Sequence, residues 1–218
     1  MNIRNIIFDL GGVLLNIDYH RTINAFKALG LSDFNDFYNQ AAQIKLFDHF
    51  DRGDISAGEF RDALRRISGL PLSDEQIDSA WNAMLLDFPD RRIKLLESVR
   101  KNYRTFLLSN TNTIHYRAYM SYLKNRFGFS DLGALFEKQY LSYEMGMRKP
   151  DSEAFELILS GNNLQASETL FIDDSYQHVK GAADAGLPAV YLDVEKMEVT
   201  GLFNKNAFLY HPIPGLIA

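Results

Sequence analysis

The chain contains no cysteine in 218 residues. Disulfide frameworks, thiolate nucleophiles and zinc–thiolate centres are therefore excluded. Basic residues are also short: 23 Lys and Arg stand against 28 Asp and Glu, a formal net charge of −5. A nucleic-acid footprint needs a basic face, so no nucleic-acid partner is expected. Any anionic substrate has to be drawn in by local charge rather than by the field of the whole molecule. No apolar run approaches the ~18 residues of a membrane span, and the N-terminus lacks the basic-then-apolar pattern of a secretory signal. A soluble, cytoplasmic protein with no membrane partner is expected. Internal repeats and low-complexity segments are absent as well. What is present is a composition 46% hydrophobic and 13% aromatic, enough for a sizeable core at about one and a half times a typical domain length.

The opening stretch organises the rest. In Asn2-Ile3-Arg4-Asn5-Ile6-Ile7-Phe8-Asp9 an apolar run ends abruptly at the carboxylate, and Leu10-Gly11-Gly12 follows. Such a run bounded by a turn signal fits a strand buried on both faces. In open α/β sheets ligands bind in the crevice beyond the carboxyl ends of strands. A bare carboxylate there is a candidate nucleophile or metal ligand, although Asp before glycine also commonly satisfies turn amides. Three further strand-like runs end in polar groups: Thr105 to Asn110, Gln139 to Ser142, and Thr169 to Asp174. Between the last two lies Gly146-Met147-Arg148-Lys149-Pro150-Asp151.

Residues 16–88 carry helical spacing and no strand signal. Asp18 is placed to cap a helix bearing Ile23, Phe26 and Leu29, and Ser32 to cap one bearing Phe34, Phe37, Tyr38 and Ala41. Asp51 to Asp54 reads as a turn. Ser56/Glu59 and Ser73/Gln76 are capping boxes, opening helices with Phe60, Ala63, Leu64 and Ile67, and with Ile77, Trp81 and Leu85. The aromatics Phe26, Phe34, Phe37, Phe47 and Phe60 are expected to form a core of their own. A βαβ connection needs only a dozen or so residues, so a block of this length implies an inserted helical subdomain. Beyond it strands and helices alternate: Pro89 starts a helix, Pro150 sits in the first turn of another, a helix spans 175–185, a strand covers 189–192, and Phe208-Leu209-Tyr210 is the candidate edge strand. The fold class is α/β, a Rossmann-like parallel sheet with helices on both faces, with a core of residues 1–15 and 89–218 and a helical cap of residues 16–88.

Asp9, then Ser109, then Lys149-Pro150, then Asp173-Asp174, in this order on a β/α scaffold, resembles the haloacid dehalogenase superfamily of hydrolases. The wording Asp-Leu-Gly-Gly-Val, Ser-Asn-Thr-Asn, Gly-Met-Arg-Lys-Pro and Phe-Ile-Asp-Asp is similar to a cap-bearing phosphatase subgroup that includes the bacterial α-D-glucose-1-phosphate phosphatases. The resemblance implies a phosphohydrolase in which Asp9 attacks phosphorus and forms an aspartyl-phosphate. It implies Mg²⁺ held by Asp9, the backbone carbonyl of Gly11 and Asp174, with Asp173 as a further ligand or as a support for Lys149. Ser109 and Asn110 would grip the phosphoryl group and Lys149 would neutralise charge. Arg148 is expected to be an ordinary surface residue. The implied substrate is a small phosphorylated metabolite, a sugar phosphate such as a hexose 1-phosphate.

Two positions depart from that pattern. Relatives carry a second Asp, the proton donor, where this chain has Gly11, and proton transfer is typically worth 10²–10⁴ in rate. Asp18 or His20 could replace it, a good leaving group could make it dispensable, or the chemistry could be lost. His178 stands where relatives usually have Asn or Asp, and a place on the helix surface is expected for it. The alternatives are a non-catalytic phosphate-binding or regulatory protein and a metal-independent 2-haloacid dehalogenase, for which Asp173 and Asp174 would be superfluous. The oligomeric state is left open.

Overall fold

The structure is a computed structural model and describes residues 1–31 and 45–217. Its centre is β1 (Asn5–Phe8), every residue of which is buried. On one side β1 pairs in parallel with β2 (Arg104–Ser109), which pairs with β3 (Lys138–Leu141). On the other it pairs with β4 (Thr169–Asp173), and β4 with β5 (Ala189–Tyr191). A short β6 (Leu216–Ile217) closes that edge antiparallel to β5, giving the order β3-β2-β1-β4-β5-β6. The chain builds outward from β1 to β3 and then returns to the far side of β1. The β1/β4 border is thus the switch point at which open α/β sheets form their crevice.

Alternation along β1 divides the core into two layers. Ile6 and Phe8 pack with Ile93, Leu96 and Val99 of α5 (Asp90–Val99) and with Tyr119 and Leu123 of α6 (Thr113–Phe127). Ile7 faces the other way, joining Phe106, Phe171, Phe155 and Ile158 of α8 (Ser152–Gly161), and Val179 and Ala182 of α9 (Tyr176–Asp184). Burying a large apolar side chain contributes about 1.5–3 kcal/mol, which is why these runs are apolar on both faces. By the same period-2 rule, Asp9 and Asp173 continue the face of Ile7 and Phe171.

Between β1 and β2 lie α1 (Tyr19–Ala28), α2 (Leu46–Arg52), α3 (Ala57–Ser68) and α4 (Asp74–Asn82). Both capping boxes form, at Ser56/Glu59 and Ser73/Gln76. Phe26, Phe50, Phe60, Leu64 and Ile77 gather in a cluster separate from the sheet layers, with Phe47 and Trp81 against it. The expected Ser32 cap and the aromatics Phe34 and Phe37, with Tyr38 and Ala41, lie outside the described residues.

Three expectations are corrected. Asp51 and Arg52 are not a turn but the last turn of α2, which stops at Gly53 in the left-handed conformation (φ 75), the usual helix C-terminal device. Pro150 lies outside α8, whose N-cap is Asp151; the chain stays irregular there because Lys149 is drawn into the core, 1% exposed. The edge strand is Leu216–Ile217, not Phe208–Tyr210. Leu209 instead makes a single bridge with Phe203 and is buried beside it.

Candidate active site

Strand register assembles the site. Phe8 pairs with Ile172, so the next residues, Asp9 and Asp173, stand side by side where β1 and β4 end. Phe8 also pairs with Leu107, which puts Ser109 just beyond the level of Asp9 on the other side. One carboxylate oxygen each from Asp9, Asp173 and Asp174 lies within 4.8 Å of the others. Asp174 reaches this group by packing on the β1 loop. A Cβ on Gly12, whose φ is +74, would sit 1.9 Å from Asp174 Oδ2. No other residue type tolerates both that conformation and that approach.

Lys149 enters from the α8 side. Its Nζ donates to Asp9 Oδ1, and to Asp173 Oδ2 at 2.7 Å, and lies 5.5 Å from the centre of the Phe171 ring. Burial disfavours the ammonium charge, but Asp173 and Asp9 outweigh it and hold its pKa above the ordinary lysine value. Asp173 is the support of this lysine. Its other oxygen accepts from the Ser175 amide at 2.7 Å, and His178 Nδ1 approaches both oxygens at 3.2 Å. His178 is thus part of the site rather than of the helix surface. Burial works against the Asp173 charge, yet Lys149 and His178 hold the carboxyl below its usual range.

Three carboxylates against one lysine leave negative charge uncompensated. Burial pushes Asp9 up to about 8 against the pull of Lys149, with Asp173 and Asp174 adding to the push. Burial and then Asp173 push Asp174 up to about 6. Oxygen donors only, converging with excess negative charge, are the donor set that suits Mg²⁺. The residues present fit that ion.

The remaining expected residues divide. Ser109 is buried at the strand end, 3% exposed. Asn110 turns its side chain onto the backbone of Lys149, donating to its carbonyl and accepting from its amide, both at 2.9 Å. It positions the lysine. Ser142, the first residue of the short helix α7 (Ser142–Met145), holds the adjacent turn by reciprocal 2.9 Å bonds to the Thr111 amide and carbonyl. At Gly11 an added Cβ would meet Ile17 Cδ1 at 3.3 Å, so the end of the Ile17 side chain lies beside the β1 loop. Asp18 caps α1, its Oδ1 accepting from the His20 amide at 2.9 Å, and His20 is exposed.

The sequence concealed how α2 docks onto this site. Arg148 is no ordinary surface residue but pairs with Asp48, and Arg52 pairs with Asp151 at 2.5 Å. These crossed pairs bracket Lys149. Asn112 Nδ2 donates to Asp51 Oδ1 at 3.1 Å and lies 3.3 Å from His115 Nδ1. Only alternating charge in two distant segments could have hinted at it.

The family model of haloacid dehalogenase-like hydrolases matches residues 3–186. The chain belongs to the haloacid dehalogenase-like hydrolases. Among curated relatives of this hydrolase, D-ribitol-5-phosphate phosphatase of Bacteroides thetaiotaomicron is 33% identical over 187 residues, covering 84% of this chain and 89% of that protein. A crystal structure of a haloacid dehalogenase family enzyme from Bacteroides thetaiotaomicron, in complex with magnesium and inorganic phosphate, superposes with a TM-score of 0.83. It is 37% identical and covers 93% of this chain and 100% of that one. L-2-haloacid dehalogenase of Xanthobacter autotrophicus, at 17% identity and TM-score 0.59 over 94% of this chain and 80% of that one, shares the fold. Among the described residues no helix of this hydrolase is long and apolar enough to cross a membrane.

Proposed function

We propose that this hydrolase is a Mg²⁺-dependent phosphatase of small phosphorylated metabolites, with polyol and sugar phosphates as the substrate class. The carrying observation is the convergence of Asp9, Asp173 and Asp174 within 4.8 Å beside a buried lysine. The relative named for ribitol 5-phosphate, a polyol phosphate, supports the substrate class.

A phosphate monoester already carries negative charge, so its catalyst needs a nucleophile, a cation and donors on the equatorial oxygens. Asp9 is the nucleophile: its oxygen bonds to phosphorus as the bond to the ester oxygen breaks, that oxygen takes a proton from water because Gly11 offers no acid, and water then hydrolyses the acyl phosphate to free phosphate and the Asp9 carboxylate. Asp9, the Gly11 carbonyl and Asp174 would hold Mg²⁺, with Asp173 as the neighbouring carboxylate; the ion, when bound, neutralises phosphate charge and orients the ester. Lys149 screens the charge between Asp9 and the incoming phosphate, held by Asp173 and Asn110. Ser109, buried at the end of β2, would donate to a phosphoryl oxygen. The helices α1–α4 act as a cap that excludes water during reaction.

A panel of phosphorylated metabolites assayed for phosphate release with Mg²⁺ tests this reading. Turnover of polyol or sugar phosphates, lost with EDTA, is expected. Stabilisation by phosphate esters without any release would favour a non-catalytic binding protein, and release insensitive to EDTA would remove the metal.

A further inference from the structure

Arg92 is a charged side chain only 5% exposed, and the mechanism above does not use it. It lies in the first turn of α5. Its Nη1 donates to the Gly12 carbonyl at 3.4 Å, and its Nη2 lies 3.5 Å from Glu198 Oε1. Its Nε is buried with no partner among the described residues, a cost that a surface arginine avoids. Arg91 pairs with the same Glu198 carboxylate from outside, being itself exposed. Arginine is almost never buried this fully unless paired, and an ion pair that Arg91 already makes is a poor reason for burying a second guanidinium. The remaining contact is the one to Gly12.

Gly12 is the residue on which Asp174 packs, through its φ of +74 and the close approach of Asp174 Oδ2. Its amide donates to the Leu15 carbonyl at 2.8 Å, and the amides of Leu14 and Leu15 both donate to the Leu10 carbonyl, also at 2.8 Å. These bonds tie the loop to itself. Among the described residues no backbone amide donates to the Gly12 carbonyl. Arg92 supplies that bond, and with it a tie between the loop and α5. The peptide it holds is the one directly after the peptide that carries the Gly11 carbonyl.

We infer that Arg92 is a positioning residue for the metal site: by holding the Gly12 carbonyl it fixes the turn against which Asp174 packs and from which the Gly11 carbonyl would reach Mg²⁺. The guanidinium itself touches none of the acidic side chains at the strand ends. Its planar fork spans the carbonyl on one side and Glu198 on the other, which a lysine ammonium does not reproduce. Groups that orient metal ligands without binding the metal typically change its affinity by about 10- to 100-fold. This rests on the phosphatase reading and adds a residue that sets how tightly the ion is held.

The test titrates Mg²⁺ with two readouts: thermal stabilisation of the substrate-free protein, and phosphate release from p-nitrophenyl phosphate. Arg92→Lys keeps a charge facing Glu198 but loses the fork, and Arg92→Met loses both. Each should raise the Mg²⁺ half-saturation by at least about 10-fold in both titrations, with kcat recovering at saturating Mg²⁺. Glu198→Gln leaves Arg92 an acceptor and keeps its bond to Gly12, so its half-saturation should match the wild type even if its melting temperature falls. A folded Arg92 variant with wild-type half-saturation overturns the inference. So does an equal rise in Glu198→Gln, which would make the effect one of general stability. Failure of both Arg92 variants to fold overturns it as well, because the residue would then support the whole fold rather than the loop. A wild type that Mg²⁺ neither stabilises nor activates would instead sink the phosphatase reading.

Discussion

His115 is a buried histidine whose tautomer can be read from its partners. Its Nε2 lies 3.1 Å from the Trp81 carbonyl, which can only accept, so Nε2 carries the proton. Nδ1 then accepts from the Asn112 amide at 3.3 Å, while its ring stacks on Trp81 at 5.1 Å. A second proton would set an N–H against that amide in a dry seam. Burial accordingly lowers the pKa from 6.5 to about 4, against the pull of the Trp81 carbonyl. A base with a depressed folded-state pKa contributes stability above its unfolded pKa and loses it as pH falls through the folded one. The full shift corresponds to roughly 3 kcal/mol, of which about 2 is gone by about pH 5. Asp9, Asp51 and Asp174, with raised values, act in the opposite sense, because the folded state binds their protons more readily. The informative quantity is therefore the difference between wild type and His115→Gln, which keeps a donor for Trp81 but does not titrate. Urea denaturation at pH 7 and about pH 5 should show wild type losing about 2 kcal/mol more than the variant. Equal losses would mean that His115 is protonated in the folded protein and that the cap–sheet seam is wetter than described.

Other perturbations act on the site itself. Gly12→Ala would force Asp174 away from a Cβ that would otherwise lie 1.9 Å from its Oδ2; kcat should fall on the order of 100-fold, and near-normal turnover would show that Asp174 need not pack there. Lys149→Met leaves buried Asp9 and Asp173 without their shared cation, a loss of about 3–5 kcal/mol readable as a lower urea midpoint; an unchanged midpoint would refute the pairing. Burial pushes Asp51 from 3.8 up to about 6, so its stabilising contribution is present below 3.8 and lost as pH rises through 6. Asp51→Asn should therefore raise stability at pH 7 by up to about 3 kcal/mol, and a lower melting temperature would contradict that.

The residues at strand ends were legible because their signal is local. Asp9, Ser109 and Asp173 each terminate an apolar run, and parallel pairing carries such termini to one edge. The capping boxes at Ser56 and Ser73 were legible for the same reason. Asp48–Arg148 and Arg52–Asp151 were not, since partners separated by 100 and 99 residues leave no periodic trace. Asn110 looked like a phosphate donor from its neighbour Ser109, yet its side chain spans to a backbone 39 residues away. His178 misled because a helical position says nothing of which carboxylate lies beneath it. The empty position at Gly11 was visible at once; only the structure reveals Ile17 beside it.

The most direct measurement is phosphate release from p-nitrophenyl phosphate with Mg²⁺ by wild type and by Asp9→Asn, with circular dichroism to verify the fold. The account predicts turnover in the wild type and a loss of at least about 10⁴-fold in the folded variant. A folded variant that keeps wild-type turnover would contradict it.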